Sequence, residues 1–200
     1  MRLQVFKFLF LIAFPLLFLA CPFGENGNSS FEYKQVETQD DADSVAMIIE
    51  HQADEPISVY DDTTWDSEQI EGNYSGYATV SGSYSESDGA YYDTSYYTYD
   101  NVTIDFNNFQ TDSDYPSITG SATLTGTLSV DSSYTYGNDY GGSWTFSGTV
   151  TLDPSTVDED EEYGYFYEGT VEFYFVYGTK YEYAGTITVD GQSWDVDNYY

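Results

Sequence analysis

Carboxylates are the most abundant chemistry-bearing groups in this chain: 35 of its 200 residues are Asp or Glu. Asp112-Ser113-Asp114 and the stretch Asp153 to Glu162, which includes Asp158 and Asp160, cluster oxygen ligands of the kind calcium prefers. The chain has no Asp-x-Asp-x-Asp-Gly loop closed by a Glu, so a solvated acidic loop is the simpler reading of these residues. Asp112, Asp114, Asp158 and Asp160 therefore stand as calcium candidates and nothing more specific. Paired carboxylates can also hydrolyse a glycosidic bond as acid and base or nucleophile. With so many to choose from, spacing selects no pair. His51 is the only histidine and has no cysteine near it with which to build a zinc site. No Gly-x-Ser-x-Gly elbow occurs, and a single histidine gives a nucleophilic triad little support. Catalysis and a resident cofactor are not expected on these grounds.

The one thiol, Cys21, lies at the end of a distinctive leader. Arg2 and Lys7 precede Phe8 to Leu19, which is apolar apart from Pro15. That run is shorter than the ~20 residues a membrane-spanning helix needs. A basic start, a short apolar stretch and the small Ala20 form a signal peptide over residues 1–20. Phe18-Leu19-Ala20-Cys21 resembles the lipobox of bacterial lipoproteins, with Phe18 where that family usually has Leu. The resemblance implies cleavage before Cys21, acylation of its thiol and attachment to a membrane through the acyl chains. Pro22 stands where some bacteria use Asp to retain lipoproteins at the inner membrane, so the resemblance favours the outer membrane. A lone cysteine forms no internal disulfide, and the exported part has to fold by packing alone.

All 35 acidic residues follow Ala20, against Lys34 and Lys180 as the only cations there. Such a surface repels nucleic acid and anionic lipid, whose recognition relies on Lys and Arg. It attracts cations and repels itself unless salt screens it.

These residues have to be positioned by a domain over 31–200, held on a polar tether at 21–30. Phe31 to Glu37 reads as a first strand. Asp40 to Ala53 reads as the one helix, since Val45, Ile48, Ile49 and Gln52 share a face and Pro56 ends the segment. From Gly72 onward the period is two. Ile118, Gly120, Ala122, Leu124, Gly126, Leu128 and Val130 alternate with Thr and Ser, and similar rows follow Tyr74, Trp144, Tyr165 and Tyr181. The phrases Gly126 to Asp131, Gly148 to Asp153 and Gly185 to Asp190 each read as a strand ending in an Asp that opens a turn. Acidic or Gly-rich loops are expected at Glu86 to Ala90, Asp131 to Gly142 and Asp153 to Glu162. The expected fold is all-β, an antiparallel up-and-down meander of about 8–10 strands closing as a barrel, or forming a strongly curled sheet or sandwich. A transmembrane barrel shares the alternation, but a tether and lipid anchor would then be redundant.

Asp190-Gly191 between alternating runs predicts a two-residue type I′ hairpin. That pairs Val189 with Gln192, Ile187 with Trp194, Gly185 with Val196 and Tyr181 with Tyr200. A three-residue loop over Gly178 to Lys180 would pair Tyr177 with Tyr181, Phe175 with Tyr183 and Val171 with Ile187. Val171, Ile187 and Trp194 would then form one row.

These readings favour a lipid-anchored envelope protein with a structural or binding role. The alternatives are a small-ligand carrier with an apolar barrel pocket and a carboxylate-pair glycan hydrolase. The 23 Tyr and 3 Trp offer stacking surfaces for a glycan, although Tyr is also a good strand former. The charge makes one prediction directly. Melting temperature should climb from dilute buffer to molar NaCl, and a further rise with millimolar calcium would reveal specific sites. A flat response to both would show that self-repulsion plays no part in this fold.

Overall fold

A computed structural model of the chain describes residues 33–58, 63–89, 94–131, 139–158, 167–178 and 183–197. The helix α1 (Gln39–Asp54) comes first. Thr38 caps it: its hydroxyl accepts from the Asp41 amide, and the Asp41 carboxylate accepts from the Thr38 amide. This reciprocal cap satisfies two of the amides a helix start leaves free.

Eight strands follow: β1 (Thr63–Glu71), β2 (Ser75–Asp88), β3 (Thr94–Gln110), β4 (Ser117–Asp131), β5 (Asp139–Asp153), β6 (Gly169–Tyr177), β7 (Tyr183–Val189) and β8 (Gln192–Asp197). They form one antiparallel sheet in sequence order. Among the described residues β1 and β8 do not pair, so the sheet is open and curled rather than closed. The all-β meander expected from the alternation is the fold observed.

One face of the sheet is apolar, and α1 covers it. Val45, Ile48, Ile49 and Gln52 are fully buried, in the same core as Val80, Ile104, Phe175 and Ile187. The opposite face carries the Thr, Ser and acidic residues. A transmembrane barrel would turn its apolar row outward to lipid. Here that row turns inward to the helix.

In β3 the apolar alternation is brief, over Val102, Ile104 and Phe106, and this has a local cause. Tyr97 and Tyr99 are buried, then Val102, Ile104 and Phe106, then Phe109. The buried parity changes twice, at bulges where Asn101 and Asn108 adopt positive φ, both 48°. Each bulge inserts an extra residue against both neighbouring strands, bending β3 and increasing its twist. Gly76 lies against Asn108, and a Cβ there would overlap its carbonyl oxygen. Tyr74 lies in the turn between β1 and β2, where its amide donates to the Gln110 carbonyl, and so falls off the core face. It is 53% exposed, ahead of β2, rather than in the buried row with Ala78 and Val80.

Other expectations are corrected. Of the strand expected over Phe31 to Glu37, the described residues 33–37 show an isolated parallel bridge, Lys34 to Tyr167, and no strand. β1 was not legible as a strand, because a bulge between Trp65 and Glu68, with Ser67 at φ 60°, breaks its alternation. β2 runs through to Asp88 and β5 begins at Asp139, so both replace parts of expected loops.

The C-terminal hairpin is as read: Val189 pairs with Gln192, Ile187 with Trp194 and Gly185 with Val196. Asp190 and Gly191 have φ of 51° and 81°, as a type I′ turn requires. Asp153 and Asp190 both open turns as expected, Asp153 by accepting from the Ser155 amide of the 3₁₀ turn Pro154–Thr156.

The β6–β7 register differs by two residues from the expectation. Tyr177 pairs with Tyr183, Phe175 with Gly185 and Val171 with Val189, so Phe173 shares the row of Ile187 and Trp194. A shift of two keeps every side chain on its face, so burial alone does not discriminate between the registers. The glycine does. A Cβ at Gly185 would overlap the Tyr174 carbonyl and crowd the Cα of Phe175, the residue it faces. The expected partners Tyr181 and Tyr200 lie outside the described residues.

The bulges generate a stability prediction. Asn101→Gly should be nearly neutral in urea unfolding, because glycine accepts positive φ freely. Asn101→Val should cost about 1–2 kcal/mol, the penalty of a branched residue in the left-handed region. Equal stability of the two variants would show that this bulge does not need its left-handed residue.

Candidate functional site

In a meander, alternate connections lie at the same end of the sheet. The β1–β2, β3–β4, β5–β6 and β7–β8 connections thus share one end, which fixes where the sequence candidates go. Asp112 and Asp114 lie in the β3–β4 connection and Asp158 follows β5. The Asp158 amide donates to the Ser113 carbonyl at 3.0 Å, so the two acidic segments do meet. His51 joins them, its ring stacked on Tyr115 with centroids 4.3 Å apart. Although His51 is an exposed residue, burial of its ring pushes its pKa down, against the pull of Asp112 and Asp114. Among the described residues no three His, Cys, Asp or Glu are grouped to hold a metal ion. Asp160 and Cys21 lie outside the described residues.

Two buried glutamines lace this end together. The Gln52 amide donates to the Pro116 carbonyl, and its oxygen accepts from the amide and hydroxyl of Thr111. Gln110 donates to the carbonyls of Tyr115 and Thr156 and accepts from Ser75. Gln52 was legible as the polar member of the helix's buried face. Gln110 was not, since its sequence neighbours Phe109 and Thr111 carry no periodic signal.

The start of α1 is held by the chain's described lysine. Lys34 Nζ lies 2.9 Å from Asp41 Oδ1, and the Tyr167 hydroxyl donates to the same oxygen at 2.8 Å. Burial pushes the Asp41 carboxyl up. Hydrogen bonds from Lys34, Thr38, Tyr167 and the Glu37 amide outweigh it and hold that carboxyl well below its usual range. These groups are mutually satisfied, so they are structural.

The helix's other end is different. Asp54 is its last residue, half-buried, with Glu55 next to it. Burial, and then the charge of Glu55, push its carboxyl up to about 6. A negative group at a helix C-terminus is also disfavoured by the helix dipole. Its charge acts in turn on Tyr99, whose hydroxyl is pushed up first by burial and then by Asp54. Tyr99 packs edge-on to Trp144 at 5.1 Å and tilted to Tyr84 at 5.0 Å, and Trp144 Nε1 donates to the Tyr97 carbonyl. One turn before Asp54, Glu50 accepts from the Tyr177 hydroxyl. Among the described carboxylates, Asp54 has the environment closest to a working acid. No sequence signal marks it or Glu50, because Tyr99 and Tyr177, which they meet, come from β3 and β6.

Comparison with protein-family models, curated proteins and solved structures finds no match for this chain.

Asp54 sets a pH dependence. Its folded pKa of about 6 lies above the ordinary 3.8, so its contribution is full below 3.8 and is lost as pH rises through about 6. Asp41 has the opposite sign, and its contribution is lost only as pH falls below 3.8. Asp54→Asn should raise stability at pH 7 by roughly 1 kcal/mol, the shift discounted for its partial exposure. The gain should vanish by pH 4. Melting curves from pH 4 to 8 test this, and a variant no more stable than wild type at pH 7 would contradict it.

Proposed function

We propose that this chain is a lipid-anchored cell-envelope protein, held through acyl chains on Cys21 and favouring the outer membrane, whose domain binds or supports rather than catalyses. The observation that carries the non-catalytic part is the seat of α1. Val45, Ile48 and Ile49 fill the sheet's apolar face, the face on which a carrier would hold an apolar ligand. The buried polar groups Asp41 and Gln52 are spent on securing that seat, and Gln110 on tying the strand ends beside it. What is left to meet a partner is the outward polar face of the sheet.

The hydrolase reading has one observation in its favour, the raised carboxyl of Asp54 one turn from Glu50. Both acids issue from one flank of one helix and Tyr177 engages Glu50, whereas a glycosidase places its carboxyl groups on either side of the scissile bond.

The anchor is tested by Cys21→Ser. The wild-type chain should incorporate labelled palmitate and sediment with membranes. The variant should incorporate none and accumulate uncut. A mature wild-type protein with an unmodified N-terminus at another position, read by mass spectrometry, would overturn the lipoprotein reading.

A further inference from the structure

On the outward face, β4 presents Thr119 to Ser129 at every second position and β5 presents Ser143 to Thr151 likewise. That makes six hydroxyls on β4 and five on β5, with no charge among them. All are exposed or half-exposed. Register aligns them directly across the strands: Thr119 with Thr151, Ser121 with Thr149, Thr123 with Ser147, Thr125 with Thr145. At the ends of the strip Thr127 bonds Thr98 and Thr151 bonds Thr170. The central hydroxyls, from Ser121 to Thr125 and from Thr145 to Thr149, make no side-chain hydrogen bond with a described residue. Their donors and acceptors are turned to solvent.

Strand propensity explains why Thr is common here. It does not explain why acid is absent. β3 and β6 are also interior strands, and on the same face they carry Asp100, Asp105 and Glu172, all exposed. The outward rows of β2 (Tyr77 to Ser87) and β7 (Ala184 to Thr188) are neutral too, but each lies between rows that carry acid, whereas at β4 and β5 two neutral rows adjoin, in a chain of formal net charge −31. Carboxylates border this strip, Asp105 and Glu172 standing at the two ends of the row through Ser121 and Thr149. Two tyrosines also flank it. Tyr174 is 50% exposed and next to Ser147, and Tyr96 is 40% exposed and next to Ser129.

We infer that this strip is a docking surface for a neutral polysaccharide, an inference that rests on the non-catalytic binding role proposed above. The complementarity is specific in kind. A neutral glycan offers many hydroxyls that both donate and accept, which the strip's hydroxyls and bordering carboxylates match. Its apolar C–H faces stack on exposed tyrosines. An anionic polymer would be repelled by Asp100, Asp105 and Glu172. An apolar partner would bury unsatisfied hydroxyls, at a cost for each. A second copy would bring two strongly negative surfaces together.

The test uses full-length protein purified in detergent, applied to cellulose and to soluble dextran, with alginate as the anionic comparison. Wild type should be retained on at least one neutral glucan and not on alginate. Thr123→Glu with Thr145→Glu puts two charges in the middle of the strip at solvent-facing positions, each opposite neutral residues on both neighbouring strands. It should weaken retention at least tenfold without moving the melting temperature. Tyr174→Ala should weaken retention as well. Retention that survives both variants would overturn the inference, as would no retention on either glucan or preferred binding to alginate. So would a concentration-dependent dimer lost in the double variant, which would assign the strip to a second copy. Release of reducing sugar from a retained glucan would overturn the non-catalytic reading instead, leaving the strip's assignment standing.

Discussion

A single open sheet with one apolar face is unstable in water until something covers that face, and the placement of α1 is the constraint on which the rest depends. Burying Val45, Ile48 and Ile49 is worth about 1.5–3 kcal/mol each. Hydrophobic contact alone has little directional preference, so it would let the helix slide or rotate. Polar ties remove that freedom. Lys34 and Tyr167 meet Asp41 at the start of the helix, and Gln52 meets Thr111 and Pro116 near its end. Because Gln52 is fully buried, displacing the helix would strand its amide without water or partner. The helix is seated by apolar area and aligned by a few satisfied polar groups.

Much of this was legible because period two and period 3.6 are physical signals of burial. Val45, Ile48, Ile49 and Gln52 announced the helix face, and the even row from Ile118 to Val130 announced β4. Asp190-Gly191 announced its turn, since both positions need positive φ and these two residues tolerate it. What was hidden is equally physical. Asn101 and Asn108 invert the buried parity of β3, so a long strand looks like a short one to any reading that assumes unbroken alternation. Ser67 does the same to β1. The β6–β7 register was misread because a slip of two leaves the facing pattern intact, and only backbone crowding at Gly185 separates the choices. The site residues were the least legible. Glu50 and Asp54 meet Tyr177 and Tyr99, from strands distant in sequence, and nothing local records that.

The distribution of charge follows from the same sheet. Acid on the outward face keeps its water and is screened, so it is tolerated wherever cross-strand neighbours are not also acidic. Asp105 and Glu172 meet that condition, each having a neutral partner on β4 or β5. The hydroxyl strip between them separates two acidic rows that would otherwise be adjacent.

Asp41 and Asp54 make the final contrast, one residue type at two ends of one helix. Asp41 sits where the helix dipole favours a negative group, with a cation, two hydroxyls and two amides around it, and its charge stabilises the fold. Asp54 sits where the dipole opposes it, half-buried beside Glu55, and its charge costs stability at neutral pH. Glu55 has an outlet, accepting from Asn73 Nδ2 at 2.8 Å. For Asp54 burial and the neighbouring charge, the influences seen among the described residues, are both unfavourable. A sequence under selection for stability alone would place a neutral residue at 54, since Asn there fits the same space without the charge. Local rules broken without compensation are where natural proteins tend to put function. In this chain that departure acts on Tyr99, a buried residue of the apolar face, on the opposite side of the sheet from the hydroxyl strip.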